Sequence, residues 1–263
     1  MTSTPGGPAL DLRHGGNLAA SARRLGCQPH QLLDASASLV PFGPPASLRR
    51  ALRRCLAGGN AGTALRDYPD RSYSQLRSAI ASHHGIDPAA VLPGNGAAEL
   101  FTWAARDAAA AGASLLPEPG FADYQRALVC WDGAIEPLPL PLPAPPAGPG
   151  RPGLPPLWAC PLPFPAPAGS GAALWITNPH NPSGQLWDRR SLELLLDRFA
   201  LVIVDEAFLP LVPDGERHSL VPLVAHHPQL IVIRSLTKLM AIAGLRLGYA
   251  VAAPARLQRW QGW

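Results

Sequence analysis

Lysine is almost absent from this chain, and the exception is informative. Of the 22 basic residues in 263, 21 are arginine and one is lysine, Lys238. Arginine can replace lysine at most solvated positions, so a bias towards it accounts for the 21. It cannot replace an amine that must lose its proton and attack, because guanidinium stays charged. Lys238 is therefore a candidate amine nucleophile. Three segments supply further chemistry: NPHNPSG from Asn178 to Gly184 after the run ALWIT, Asp205-Glu206-Ala207-Phe208 closing LVIVD, and Ser235-Leu236-Thr237-Lys238 closing LIVIRS. Arg246 follows eight residues after the lysine. The set holds an amine, a carboxylate at a strand end and a Ser/Arg pair suited to a phosphate. Gly94-Asn95-Gly96, opening a helix, adds backbone N–H groups for an anion. Each feature has a plain reading when taken singly. Asp205 could cap a helix, NPHNPSG could be turn residues, Arg246 could be a surface charge and Phe121 could be core.

These residues need a frame. ASLLP, ALWIT, LVIVD, LIVIRS and GYAVA are short runs rich in Val, Ile and Leu. Such runs read as strands buried on both faces, hence an α/β fold with a largely parallel sheet covered by helices. SLELLLDRF lies between two of them, as a crossover helix must. Other helices are expected over SLRRALRRCLA with Ser47 as N-cap, from Tyr73 to His84, and through AAELFTWAARDAAAA. Each chemical segment falls just beyond the carboxyl end of a strand, the edge where open α/β sheets bind ligands. Residues 136–171 are dense in Pro and Gly and read as an extended surface excursion.

Composition narrows the classes. At 47% hydrophobic residues and a net charge of +4, the chain is neither disordered nor strongly basic. Arg49, Arg50, Arg53 and Arg54 form one basic helix face, read as solvated because no aromatic or helix-turn-helix signature accompanies them. No nucleic-acid or membrane partner is expected, and no apolar run reaches the roughly 20 residues of a bilayer span. The start lacks a secretory leader, which places the chain in the cytoplasm. Cys27, Cys55, Cys130 and Cys160 are widely spaced and read as free thiols. No metal-ligand spacing occurs.

An amine, an acid and a phosphate cradle together suit pyridoxal phosphate, whose aldehyde a lysine can hold and whose ring nitrogen an acid can keep protonated. In order and spacing the segments resemble the fold-type I pyridoxal-phosphate enzymes over essentially the whole chain. HGGN (His14 to Asn17), DASASLVPFGPP (Asp34 to Pro45), YPD (Tyr68 to Asp70), GNGAAEL and PEPGFADYQRAL resemble one branch. That branch holds histidinol-phosphate aminotransferase and the threonine-phosphate decarboxylase of cobalamin synthesis. HGGN and the Phe208 of DEAF look like the decarboxylase side, since aminotransferases of the branch usually carry Tyr there.

The resemblance implies an aminotransferase-like large domain and a role for each residue. Lys238 would hold the cofactor and shuttle protons. Asp205 would pair with the ring nitrogen and Asn181 with the phenolic oxygen. Ser235, Arg246, Gly96 and Ala97 would bind the phosphate, with Thr237 close by, and Phe121 or else Tyr124 would stack on the ring. Tyr68 would reach the cofactor phosphate of a neighbouring subunit in a homodimer. His14, with Gly15, Gly16 and Asn17, would meet a phosphorylated amino-acid substrate, a plain turn being the other reading. Residues 1–45 would form an N-terminal arm and part of a small domain, and 46–263 the cofactor-binding large domain. Relatives of this kind continue well past the lysine region into a C-terminal small domain carrying a carboxylate-gripping arginine. That part is missing here, so a truncated or fragmentary chain is expected, with weak turnover. The reaction implied is decarboxylation of threonine phosphate. An aminotransferase is the alternative, and a non-catalytic cofactor-binding chain is the reading from another class.

Overall fold

The computed structural model describes residues 15–57, 66–140, 157–158 (backbone only) and 171–262. The chain divides into two compact units, one within residues 1–40 and one within 41–263.

In the first unit, helix α1 (Leu18–Leu25) starts where Asn17 Oδ1 accepts the Ala20 N–H, and it stops at Gly26, which takes the left-handed conformation. Ahead of it, Gly16 has φ +86 and donates its N–H to Ser36 Oγ at 2.9 Å. A β-carbon on Gly15 would lie 2.0 Å from the Ser36 carbonyl oxygen, so only glycine fits there.

The second unit is built on helices α2 (Ala46–Leu56), α3 (Ser74–His84), α4 (Ala97–Ala111), α5 (Ala122–Val129), α6 (Arg189–Leu196) and α7 (Pro254–Gln261). Its strands are β1 (Val91–Gly94), β2 (Ser114–Glu118), β3 (Ile135–Pro139), β4 (Leu157–Trp158), β5 (Ala173–Thr177), β6 (Leu186–Trp187), β7 (Leu201–Asp205), β8 (Leu230–Ser235) and β9 (Gly248–Ala252). Seven strands form one sheet in the order β1-β9-β8-β7-β5-β2-β3, and β4 pairs with β6. Among the described strands of the large sheet, β9 runs opposite to the other six. The five apolar runs named above are β2, β5, β7, β8 and β9. Pro45, not Ser47, stands at the N-cap of α2.

Residues 136–139 belong to a strand, and its place explains its prolines. Among the described residues β3 pairs with β2 alone, at the sheet edge, with Pro137 opposite Leu116, where a missing N–H is tolerated. The remainder of the Pro-rich stretch, apart from Leu140, 157–158 and Gly171, lies outside the described residues.

Side chains alternate between the two faces of the sheet. Leu174, Ile176, Val202, Val204, Val232 and Val251 pack with Ile80 of α3 and Leu192, Leu195 and Leu196 of α6. Trp175, Ile203, Ile231, Ile233 and Ala250 pack with Leu100, Phe101 and Ala104 of α4, Leu128 of α5 and Trp260 of α7. With a period of two, Thr177, Asp205 and Ser235 face the α4 side, while Arg234 faces the α6 side. Among the described residues no helix is long and apolar enough to cross a membrane.

The α6 side carries an ionic brace at the strand ends. Arg234 is 2% exposed. Its Nη2 pairs with Glu206 Oε2 at 2.7 Å, and its Nη1 donates to Glu216 Oε1 at 2.7 Å. Glu206 also accepts from Ser219 Oγ and the Leu220 N–H. Burial pushes the Glu206 carboxyl up, and Arg234 and these two donors pull it down. Arg234→Met should cost about 3–5 kcal/mol, because a buried carboxylate then loses its cation. The loss should be greater at about pH 8 than at about pH 5, since Glu206 can then escape ionisation only by binding a proton. Urea unfolding at the two pH values measures this. Equal stability of variant and parent would exclude the brace.

Candidate active site

The carboxyl edges of β1, β5, β7 and β8 and the start of the reversed strand β9 meet at one side of the sheet. Register makes the convergence explicit, with Thr177 opposite Asp205, Ser235 opposite Gly248, and Gly248 opposite Gly94. Because β9 runs backwards, the loop leading into it delivers Arg246 to the edge where the other strands end.

An anion cradle forms there. Gly96 is the N-cap of α4 with φ +84, and a β-carbon on it would lie 2.6 Å from Arg246 Nη2. The guanidinium therefore packs against Gly96, where the helix starts. A β-carbon on Gly248 would lie 2.9 Å from Ala97 N, so glycine lets β9 start against that same helix end. Arg246 itself adopts φ 52, an uncommon conformation for a non-glycine residue, and its Nη1 donates to the Ala243 carbonyl. Ser235, 6% exposed, accepts the Thr237 N–H at its Oγ and lies 2.7 Å from Thr237 Oγ1. Ser235, Thr237, Arg246, Gly96 and Ala97 thus gather where backbone amides and a guanidinium favour a phosphate.

The acid and the amine lie on the same side. Asp205 Oδ1 accepts the Ala207 N–H at 2.8 Å, and Oδ2 accepts the Tyr124 hydroxyl at 2.7 Å. Burial pushes its pKa up to about 6, against the pull of Tyr124, the Ala207 amide and Lys238, with Glu206 adding a smaller upward push. Burial also lowers the amine of Lys238, which Asp205 opposes and Arg246 assists. Lowering the amine favours the neutral form that a nucleophilic lysine requires. Phe208 closes one flank, its ring centroid 5.4 Å from Lys238 Nζ.

Asn181 lies half-buried in the loop between β5 and β6. That loop is pinned by Asn178, which is fully buried: its Nδ2 donates to the Trp187 carbonyl, its Oδ1 accepts the Trp187 N–H, and its own N–H continues the ladder to the Asp205 carbonyl. His180, in the same loop, lies 2.7 Å from Ser183 Oγ through Nδ1, and burial lowers its pKa to about 4. Phe121 stands at the N-cap of α5, partly exposed, with its ring 5.5 Å from that of Tyr124.

Tyr68 is fully exposed. Gly15, Gly16 and Asn17 belong to the first unit, where they form the turn into α1, and His14 lies outside the described residues. Thr177 was not singled out from the sequence, although it ends the run ALWIT beside NPHNPSG. Its hydroxyl lies 2.6 Å from that of Tyr124, which places it in the site.

Residues 165–261 match the family described as aminotransferase class I and II. The chain is 35% identical to the threonine-phosphate decarboxylase of Salmonella typhimurium, over 94% of this chain and 65% of that protein. It is also 35% identical to histidinol-phosphate aminotransferase 2 of Thiobacillus denitrificans, over 80% of this chain and 53% of the relative. It therefore spans between about half and two thirds of the length of these relatives. In structure it is similar to the histidinol-phosphate aminotransferase of Sinorhizobium meliloti in complex with pyridoxal-5'-phosphate, with a TM-score of 0.72 and 21% identity, over 99% of this chain and 66% of that one.

Proposed function

We propose that this chain, which carries the aminotransferase fold and the class I and II segment, holds pyridoxal phosphate at the edge just described and decarboxylates L-threonine O-3-phosphate. The observation that carries the reading is the convergence of the lone lysine, buried Asp205 and the Gly96–Arg246–Ser235 cradle on one side of the sheet. The residues fit the cofactor. The cradle offers amides and a guanidinium to a phosphate, Lys238 is pushed towards the neutral amine that an aldehyde requires, and Asp205 provides an anion for a ring cation.

When bound, pyridoxal phosphate supplies an aldehyde for an amine and a ring that can accept an electron pair. The chain's residues do the rest. Ser235 Oγ, Arg246 and the Gly96 and Ala97 amides hold the phosphate, with Thr237 ordering Ser235. Asp205 holds a proton on the ring nitrogen, and Asn181 donates to the phenolic oxygen. Phe121 covers the ring face. Lys238 would hold the aldehyde through its amine, and its Nζ would return a proton to the substrate carbon from which carbon dioxide is lost, giving an aminopropanol phosphate. Such a product suits cobalamin synthesis.

Phe208 favours this outcome over amino transfer. Phenylalanine cannot donate to the phenolic oxygen as tyrosine would, leaving Asn181 as the donor. The fully exposed Tyr68 supports a homodimer in which it meets the neighbouring subunit's cofactor phosphate. The HGGN segment, His14 to Asn17, is proposed to bind the substrate phosphate, as the resemblance implies.

Protein in excess over carboxyl-labelled threonine phosphate, with cofactor added, should release labelled carbon dioxide while the cofactor stays in its aldehyde form. Conversion of the cofactor to its amine form, with histidinol phosphate reacting better, would replace the decarboxylase by an aminotransferase. Neither reaction, with cofactor bound, would leave a non-catalytic binding protein.

A further inference from the structure

We propose that Tyr124 and Thr177 are positioning residues for Asp205, forming a two-hydroxyl chain that fixes one carboxylate oxygen, and that Tyr124 does not stack on a cofactor ring. The role rests on the pyridoxal-phosphate reading, but the geometry behind it belongs to the chain itself.

Tyr124 is 4% exposed, and aromatic neighbours surround its ring. Phe101 and Phe121 approach edge-on at centroid distances of 5.1 and 5.5 Å, and Trp175 lies at 5.2 Å with the planes tilted by 31°. That packing leaves Phe121, partly exposed at the mouth of α5, as the aromatic able to cover a ligand. It also aims the Tyr124 hydroxyl at Asp205 and Thr177.

Proton counting then sets the direction of the chain. A tyrosine hydroxyl has one hydrogen, and an ionised carboxylate can only accept. Tyr124 therefore donates to Asp205 Oδ2, at 2.7 Å, and must accept from Thr177 Oγ1, at 2.6 Å. Thr177 stands opposite Asp205 in the ladder between β5 and β7, so strand pairing itself places this second hydroxyl. Each donor polarises the next, which strengthens the bond to the carboxylate. With the Ala207 N–H on Oδ1, both oxygens are anchored, and the carboxylate plane is fixed before any ligand arrives.

Two neutral hydroxyls achieve this without a permanent cation. An arginine or lysine in the same place would hold Asp205 ionised but compete with a ring cation for it. Hydroxyls orient the anion and leave its charge for the ligand. The groups acting on Asp205 are Tyr124 from α5, the Ala207 amide and Glu206 beyond β7, and Lys238 beyond β8; Asp123 of α5 acts on Tyr124.

The test is the titration of Asp205 in the chain without cofactor. Aspartate carboxyls labelled with carbon-13 are followed by NMR, and Asp205→Asn identifies the signal. Tyr124→Phe should raise the apparent pKa by about one unit or more, the usual worth of a hydrogen bond to a charged group. Thr177→Val, which keeps shape and volume, should raise it less but in the same direction. Should Tyr124→Phe fail to fold, Thr177→Val decides alone. An unchanged titration in the folded variants overturns the proposal. Borohydride trapping of pyridoxal phosphate on the parent chain separates the two claims. Failed trapping with a raised pKa removes the cofactor reading and leaves the positioning intact, whereas trapping with an unchanged pKa does the reverse.

Discussion

Pyridoxal phosphate followed by borohydride is expected to label a single side chain, and Lys238→Arg to reduce that label to background. The chain lends itself to the test, because Lys238 is its only lysine and the N-terminal amine is the other primary amine present. Arginine preserves the positive charge and most of the length but cannot present a neutral nitrogen. A purely ionic site would therefore keep the cofactor in the variant, and a covalent one would lose it. Burial lowers the Lys238 amine against the opposing pull of Asp205, which favours the neutral form that attack requires. Mass spectrometry of the reduced peptide reads the outcome. Label on the parent that survives Lys238→Arg would overturn the assignment.

Asp205→Asn is expected to act in opposite directions on stability and on chemistry. The folded-state pKa of Asp205 is raised from 3.8 to about 6 by burial. A raised carboxyl favours folding most below its unfolded value, and that contribution is lost as pH rises through about 6. The shift corresponds to about 3 kcal/mol at the upper end. The cofactor-free Asn variant should therefore be more stable than the parent above about pH 6, and the advantage should fade as pH falls towards 4. Urea midpoints at several pH values test the sign. Decarboxylation, by contrast, should drop on the order of 10²–10³-fold or more, since the amide cannot hold the ring proton by charge. An active site that stabilises its ligand at the expense of the empty fold shows this trade. A variant as active as the parent would remove Asp205 from the mechanism.

Much of the frame was legible in the residues. ALWIT, LVIVD and LIVIRS are buried throughout, and continuous apolar runs of that length have few other homes than a covered parallel sheet. The helix AAELFTWAARDAAAA runs from Ala97 to Ala111, because a glycine turn opens it and Gly112 ends it. What hid β1 and β3 is their composition. VLPG and IEPLP contain proline, which speaks against a strand unless its missing N–H falls where no partner needs it, and pairing decides that.

The chemical groups were equally visible one by one, the lysine above all, since its rarity among 21 arginines is a property of composition. Their relations were not. The reversal of β9 brings Arg246 to Gly96, and nothing within GYAVA marks the strand as antiparallel. The resemblance favours Phe121 over Tyr124 for stacking without showing their surroundings; the docking of α5 leaves Phe121 partly exposed and encloses Tyr124 beside Asp205. Arg234 interrupts an apolar strand, and its partners Glu206 and Glu216 are recognisable only when β7, β8 and the turn at residues 215–218 are assembled. Hydrophobic pattern is local, because burial of a strand depends on its own side chains. The partner of a buried charge or hydroxyl is set by strand order, direction and register, and those arise only when the sheet closes around its core.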